Sequence, residues 1–146
     1  MPTIEWNYKF LIGIREIDQH HKHLVELLNE TYDEFTERKD IAHLGYVIDE
    51  LIDYSHYHFD CEEHWMVETL YPDLENHKIE HELFKKRAYE FKLNYVQNAT
   101  YSVEILSFLS NWITQHILET DAKFGSFLDV ENIRNKIYKK SNRTLQ

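Results

Sequence analysis

The segment HKIEH at residues 77–81 places two histidines and a glutamate within about one turn of a helix. In the pattern H-x-x-E-H, the two histidines bind a zinc ion and the glutamate acts on a metal-bound water, which is the chemistry of peptide hydrolysis. Such a zinc peptidase also needs a third ligand on a later helix and an open substrate cleft. Only about 65 residues follow His81, and their pattern indicates one helix and a tail. A zinc metallopeptidase is therefore the remote alternative for this chain.

Histidine is unusually frequent, with ten in 146 residues, and the hydrophobic pattern separates the histidines into two groups. Five histidines and one glutamate occupy hydrophobic stripes, where a helix normally presents apolar side chains to a core. A lone buried carboxylate is costly unless it is paired or bound to a metal, and imidazoles buried with carboxylates form transition-metal sites. These six residues are His21, His58, Glu62, His77, His81 and His116. The other histidines lie off the stripes, where we expect surface positions: His20, His23, His43, His56 and His64.

Four segments carry apolar residues at the spacing of amphipathic helices. Four such helices with short connections predict an all-α fold, an antiparallel up-down-up-down four-helix bundle with an N-terminal arm. We expect Asp18 and Asp40 to cap the first two helices and Gly125 to end the last one. The predicted single domain covers residues 1–146, with the arm at 1–17, helices at about 18–38, 40–67, 74–97 and 101–122, and a polar tail at 129–146.

This helix order predicts that the six polar residues meet at one level of the bundle. In an antiparallel bundle, the starts of the first and third helices lie at the same end as the ends of the second and fourth. The six residues occupy those four places in the chain. Two pairs, His58 with Glu62 and His77 with His81, are four residues apart, so each pair shares one helix face at about 6 Å.

The spacing of one further carboxylate leaves its role open. Asp121 follows His116 by five residues, which separates the two side chains by ~140° around an ideal helix. Asp121 therefore joins the site only if the helix end is distorted or the side chain reaches across.

Composition excludes several classes of partner. The formal net charge of -10 argues against binding to nucleic acid or to an anionic membrane, and no apolar run approaches the length of a transmembrane span. A single cysteine excludes an internal disulfide and indicates a reducing cytoplasm as the location. We expect Cys61 to be structural or partly exposed rather than a metal ligand.

A ferritin-like di-iron protein is a nearer alternative, because that class also builds its site inside a four-helix bundle. It uses glutamates and Glu-x-x-His pairs, and this chain contains no Glu-x-x-His. The ligand candidates here are rich in histidine, which favours reversible binding of dioxygen over oxidising chemistry.

Four segments together resemble the motifs of another family, the hemerythrins, and in particular its bacterial single-domain members. The segments are IDQHHKHL at 17–24, HFDCEEHWM at 58–66, YPDLENHKIEH at 71–81 and WITQHILETD at 112–121. The arm, with its IGIREID segment, is also similar. The resemblance covers roughly residues 4–124.

The resemblance implies a centre of two iron ions with a bridging oxo or hydroxo group. His77, His81 and His116 would bind one iron, and His21 and His58 would bind the other. Glu62 and Asp121 would bridge the two, which assigns Asp121 as a ligand. The iron bound by two histidines would have an open position for dioxygen. Within QHH, the alignment selects His21 as the ligand, so His20 flanks the site. We expect His20 to face solvent, and the alternative is that it tunes access or protonation at the site.

The open position should lie in an apolar pocket, because water reaching bound dioxygen promotes its loss as superoxide. Five residues close in sequence to ligands are predicted to line it, with Leu118 and Trp112 the least explained by ordinary core packing: Leu24, Phe59, Trp112, Ile117 and Leu118. We expect Glu63 and Glu80 to be solvated or to orient ligand imidazoles.

The function implied is reversible dioxygen binding for carriage, storage or delivery, rather than catalysis. The expected partners are dioxygen and an oxygen-using or redox protein. The alternatives are a di-iron redox enzyme acting on peroxide, nitric oxide or dioxygen, and a sensor.

Overall fold

The computed structural model describes residues 4–37, 41–94 and 100–130 of the chain. Its described part is helical, and no strand occurs within it. The last two α-helices in the described residues are joined without a break by a π-helical segment, and the three together form the fourth helix of the bundle. The elements are a 3-10 turn Tyr8–Phe10, α1 Arg15–Glu37, α2 Ile41–Glu68, α3 Leu74–Asn94, α4 Thr100–Gln115, the π segment His116–Asp121 and α5 Ala122–Val130.

The helices close into the predicted bundle. Helix α1 packs against α2 and α4, and α3 packs against the same two helices, so consecutive helices are neighbours. The prediction of an all-α four-helix bundle is confirmed. Within the described residues, no helix is both long enough and apolar enough to cross a lipid bilayer.

The start of α1 differs from the prediction. The helix begins at Arg15, so Asp18 lies inside it, and its predicted role as the N-cap is wrong. Its carboxylate instead accepts hydrogen bonds from the backbone N–H groups of Ile12 (2.7 Å) and Gly13 (3.2 Å). Gly13 has φ of 97°, a left-handed conformation that favours glycine. Asp18 therefore fixes the turn by which the arm enters α1. The cap predicted at Asp40 lies outside the described residues.

Replacing Asp18 with alanine is expected to lower the free energy of unfolding by about 2–3 kcal/mol, because two partly buried backbone N–H groups lose a charged hydrogen-bond acceptor. Urea unfolding followed by circular dichroism measures the change. Asp33→Ala, at an exposed position of the same helix, is the control and should leave stability nearly unchanged. Equal effects of the two substitutions would contradict the role of Asp18.

The sequence predicted that Gly125 ends the fourth helix. That prediction is wrong, because α5 continues to Val130. A Cβ atom at Gly125 would lie 3.3 Å from the Cα, Cβ and carbonyl oxygen of Ile12. The glycine is therefore explained by the close approach of the N-terminal arm, and its lack of a side chain makes room for the arm backbone.

Two apolar clusters lie on either side of the polar level. In α1, Ile17 belongs to the smaller cluster and Leu24 to the larger one, with His21 between them. In α2 the order is reversed, with Phe59 in the larger cluster, Glu62 between, and Met66 in the smaller one. The antiparallel helices thus hold the polar side chains between two dry layers.

Candidate metal centre

Seven side chains converge between the two apolar clusters, and each is at most 4% exposed. They form two overlapping groups in which the potential ligand atoms lie within 4.8 Å of one another. One group is Glu62, His77, His81 and His116, and the other is His21, His58, Glu62 and Asp121. The structure therefore brings together all seven residues that the sequence and the resemblance selected.

The two carboxylates each face histidines of both groups. Glu62 lies 2.8 Å from His58 Nε2 and 3.2 Å from His77 Nε2. Asp121 lies 3.0 Å from His21 Nε2 through one oxygen and 3.1 Å from both His77 Nε2 and His116 Nε2 through the other. A carboxylate with one oxygen toward each group has the placement of a bridging ligand.

The position of Asp121 depends on the π segment His116–Asp121. Hydrogen bonds in a π-helix join residues five apart, so a residue five places along returns to the same face. His116 Nε2 and Asp121 Oδ1 consequently lie 3.1 Å apart, although an ideal α-helix would point them in different directions. This is the helix distortion that the spacing of the two residues required.

The outer nitrogens of three histidines are held by groups that only accept hydrogen bonds. His21 Nδ1 donates to the carbonyl oxygen of Phe10 at 2.9 Å, and His81 Nδ1 donates to Glu63 at 3.0 Å. His116 Nδ1 donates to Glu80 at 2.9 Å. Because the proton of each neutral ring is on Nδ1, the lone pair is on Nε2, which faces the centre.

The same hydrogen bonds assign the glutamates beside the ligands. The hydrogen bond from His81 lowers the pKa of Glu63, and the hydrogen bond from His116 lowers the pKa of Glu80. Glu80 also accepts from the Thr120 hydroxyl at 2.9 Å. The glutamate of HKIEH therefore orients His116 and is not directed at a water held by His77 and His81. This geometry contradicts the zinc-peptidase interpretation.

The inward-facing atoms fit a metal ion and do not satisfy one another. His81 Nε2 and His116 Nε2 lie 3.1 Å apart, so two lone pairs would face each other in the neutral rings. Several other buried atoms at the centre have no hydrogen-bond partner despite their short separations: His21 Nε2, His58 Nε2, Glu62 Oε2 and both Asp121 oxygens. Lone pairs that converge in this way require positive charge between them, and metal ions supply it.

Protons supply that charge in the metal-free protein. Burial opposes the charged form of His116, but Asp121 and then Glu80 outweigh it and raise its pKa to about 10. In the same balance, Asp121 and Glu62 raise the pKa of His77 to about 9. Burial and Asp121 would raise the pKa of Glu62, but His58 outweighs them and lowers it to about 2. The centre therefore favours cations, whether protons or metal ions.

The residues predicted to line a dioxygen pocket fall into three places. Leu24, Phe59 and Ile117 are buried in the larger cluster, and Phe59 stacks on His81 with ring centroids 4.0 Å apart. Trp112 stacks on His116 at 4.5 Å and lines a surface cavity of about 200 Å³, so it lies on the three-histidine side. Leu118, two residues after His116 in the π segment, is 36% exposed, and its assignment to the pocket stays a prediction.

Ile113 is a residue that the sequence analysis did not select. It is buried in the larger cluster and lies three residues before His116, hence on the same helix face. Its position on the hydrophobic stripe of α4, in line with His116, is the sequence signal that could have identified it. Ile113 is a further candidate, in addition to Leu118, for the apolar wall beside the centre.

The environment of His20 also differs from the prediction. It is only 7% exposed, and its Nδ1 lies 3.2 Å from the Nδ1 of His58. The rings of Tyr54 and Tyr57, from α2, pack against it and cover it. Burial, with a further contribution from His58, lowers the pKa of His20 to about 4. His20 therefore belongs to the surroundings of the centre and does not face solvent.

Cys61 lies outside both ligand groups. Its thiol donates to the Glu16 carboxylate at 2.9 Å, and burial raises its pKa. Of the other histidines, His64 is exposed, and His23 and His56 are partly buried. The side chain of His43 is outside the described part of the structure.

The fold and the site together define a class of protein: a four-helix bundle with a buried histidine and carboxylate metal centre. A family model described as the hemerythrin HHE cation binding domain matches residues 12–128. The chain belongs to the hemerythrin family, whose members bind non-haem iron.

Relatives and solved structures agree with this placement. The chain is 37% identical over 125 residues to a bacteriohemerythrin of Stenotrophomonas maltophilia, covering 86% of this chain and 81% of the relative. It is 33% identical over 125 residues to a bacteriohemerythrin of Clostridium acetobutylicum, covering 82% and 96%. A crystal structure of wild-type hemerythrin superposes with a TM-score of 0.76 at 24% identity, covering 86% of this chain and 97% of that one.

Proposed function

We propose that this chain holds two iron ions and binds dioxygen reversibly at one of them, for carriage, storage or delivery in the cytoplasm. The observation that carries the proposal is the unequal distribution of histidines around the shared carboxylates. Three histidines face Glu62 and Asp121 from one side, and two face them from the other. With the same two carboxylates, a metal on the side with two histidines would have one protein ligand fewer and would therefore keep a position free for dioxygen.

An iron pair would supply the electrons that reversible dioxygen binding requires, and the chain supplies its surroundings. Glu62 and Asp121 would be the residues shared by the two metals, and the outer hydrogen bonds of His21, His81 and His116 keep their Nε2 atoms directed inward. Leu24 and Phe59, which belong to the larger apolar cluster, cover one side of the centre with apolar side chains. Exclusion of water and protons from the open position favours release of dioxygen unchanged, and thus binding over catalysis.

The test is anaerobic loading with ferrous iron, followed by exposure to air and deoxygenation while the visible spectrum is recorded. Metal analysis should give two irons per chain, and a ligand-to-iron charge-transfer band should appear with air and disappear on deoxygenation over repeated cycles. His58→Ala should abolish the band, whereas His64→Ala, at an exposed position, should retain it.

Two results would contradict the proposal. Immediate and permanent conversion to a ferric form on the first exposure would favour redox chemistry on peroxide, nitric oxide or dioxygen. Retention of the full band in His58→Ala would mean that the open position lies elsewhere. An oxygen-using or redox protein is the partner that the proposed delivery role requires.

A further inference from the structure

The outer nitrogen of His58 has a partner unlike those of the other oriented histidines. His21, His81 and His116 donate from Nδ1 to a carbonyl or carboxylate oxygen, whereas His58 Nδ1 faces the Nδ1 of His20 at 3.2 Å. Both rings of the pair are buried, and their planes are nearly perpendicular, at 77°. An imidazole can donate or accept at this nitrogen, so the direction of the hydrogen bond depends on the tautomers.

Metal binding at His58 decides that direction. His58 Nε2 belongs to the ligand group with His21, Glu62 and Asp121, so its lone pair is needed for the metal. The proton of the neutral ring must then be on Nδ1, from which it is donated to His20. His20 accepts through an unprotonated Nδ1, and its own proton is on Nε2.

The surroundings of His20 are compatible with that tautomer. Glu16 lies one turn earlier on α1, and a nitrogen of His20, a Glu16 oxygen and the Cys61 sulfur lie within 4.8 Å of one another. The negative charge of the exposed Glu16 carboxylate favours a proton on the His20 ring. Tyr54 and Tyr57 hold the ring in place, with centroids at 5.7 Å and 5.1 Å.

The same tautomer argues against a second metal site at these residues. Glu16, His20 and Cys61 offer oxygen, nitrogen and sulfur, which together would suit a transition metal. A metal there would need the lone pair of a His20 nitrogen, but when His58 is a metal ligand one His20 nitrogen carries the proton and the other accepts the hydrogen bond from His58. His20 therefore serves the centre through its hydrogen bond with His58.

We propose that His20 is a positioning residue for the metal ligand His58. By accepting the hydrogen bond from His58 Nδ1–H, it fixes both the tautomer and the ring orientation that direct His58 Nε2 to the metal. This inference rests on the proposed metal centre. Because His20 is a neutral acceptor, it increases the donor strength of His58 less than Glu63 and Glu80 increase that of His81 and His116. The metal bound by His21 and His58 is accordingly the more weakly held of the two.

The test uses His20→Leu, which removes the acceptor, and His20→Gln, whose amide oxygen restores it. Binding of Co²⁺ to the metal-free chains is measured by competition with a chelator, and the protein should bind two ions of unequal affinity. His20→Leu should weaken the more weakly held ion by about 10–100-fold, the usual effect of removing a group behind a metal ligand. His20→Gln should restore affinity close to that of the unmodified protein.

A second measurement distinguishes positioning from simple packing. In nitrogen NMR of the zinc-loaded protein, the Nδ1 proton of His58 should be protected from exchange in the unmodified chain and in His20→Gln, and should exchange faster in His20→Leu. His23→Leu, on the same helix and in contact with Tyr54, is the matched control and should change neither quantity.

The inference is overturned if His20→Leu binds both Co²⁺ ions with unchanged affinity, or if His20→Gln is as impaired as His20→Leu. Circular dichroism of the metal-free chains establishes that each variant is folded, and His20→Gln keeps the test decisive if His20→Leu does not fold. An unmodified chain that binds no Co²⁺ would overturn the metal centre itself, and this inference with it.

Discussion

Replacing Glu62 with glutamine is expected to remove both metal ions from the centre. Glu62 is the residue common to the two ligand groups, and it lies 2.8 Å from His58 and 3.2 Å from His77. Glutamine keeps the size of the side chain but removes the negative charge. The affinity for both ions should fall by more than the ~10–100-fold that follows loss of a group behind a ligand. Titration with Co²⁺ and metal analysis of the iron-loaded protein measure the effect.

The neighbouring residue provides a matched control. Glu63 contacts the centre only through His81 Nδ1 among the contacts described, so Glu63→Gln should weaken the ion of the three-histidine side alone. A Glu62→Gln variant that keeps one ion at full affinity would contradict the bridging role. In that case Asp121 would be the only carboxylate shared between the two metals.

The metal-free protein is expected to lose stability as the pH rises from about 6.5 to about 10. Burial opposes protonation of His77 and His116. Asp121 and Glu62 nevertheless raise the folded-state pKa of His77 to about 9, and Asp121 and Glu80 raise that of His116 to about 10, both above the ordinary 6.5. A raised pKa stabilises the fold fully below 6.5, and the contribution is lost as the pH passes the folded-state value. At ~1.4 kcal/mol per pKa unit, the loss should reach several kcal/mol.

At acid pH the dependence of stability on pH is reversed, and stability is lost as the pH falls. The pKa of Glu62 falls from 4.5 to about 2, so its contribution is present above pH 4.5 and is lost as the pH falls toward 2. The metal-free protein should therefore be most stable between about pH 4.5 and 6.5 as far as these three groups decide.

Metal loading should reverse the alkaline trend. Metal ions bind unprotonated imidazoles, so their affinity, and the stability that they add, increase with pH. Urea unfolding of the metal-free and zinc-loaded protein at several pH values from about 6.5 to 10 tests both halves of the expectation. Curves that remain parallel over this range would contradict it, because protons and metal ions would then not compete for the same atoms.

The ligand set was predictable from the sequence because it depends on two regular properties. The 3.6-residue period identifies which side chains face the interior, and the antiparallel order identifies which of them share a level. These two properties therefore predict His21, His58 and His77 at one level of the bundle, where the structure has them. These rules concern direction along and around an ideal helix, and the centre follows them in α1, α2 and α3.

Features that depend on contacts between elements were not predictable in this way. His20 lies off the stripe of α1, and it is buried because two tyrosines of α2 cover it. Asp18 looked like a helix cap, but its hydrogen bonds go to the arm. Gly125 looked like a helix end, but it marks where the arm crosses the helix. In each case a tertiary contact outweighs the local preference.

The π segment explains why the spacing alone left the role of Asp121 open. The apolar pattern of α4 gives no sign that the helix widens after Gln115. Only with the wider turn do His116 and Asp121 face the same way. Spacing on an ideal helix therefore left Asp121 unassigned.

The wider turn also sets how much the length of this part of the chain can vary. One residue inserted or deleted between His116 and Asp121 would rotate everything beyond it by ~100°. Asp121 would leave the centre, and Phe124 and Leu128 would leave the smaller apolar cluster with it. Insertions and deletions should therefore be excluded from residues 116–121, even though half of this segment lies at the surface, where a length change is ordinarily tolerated.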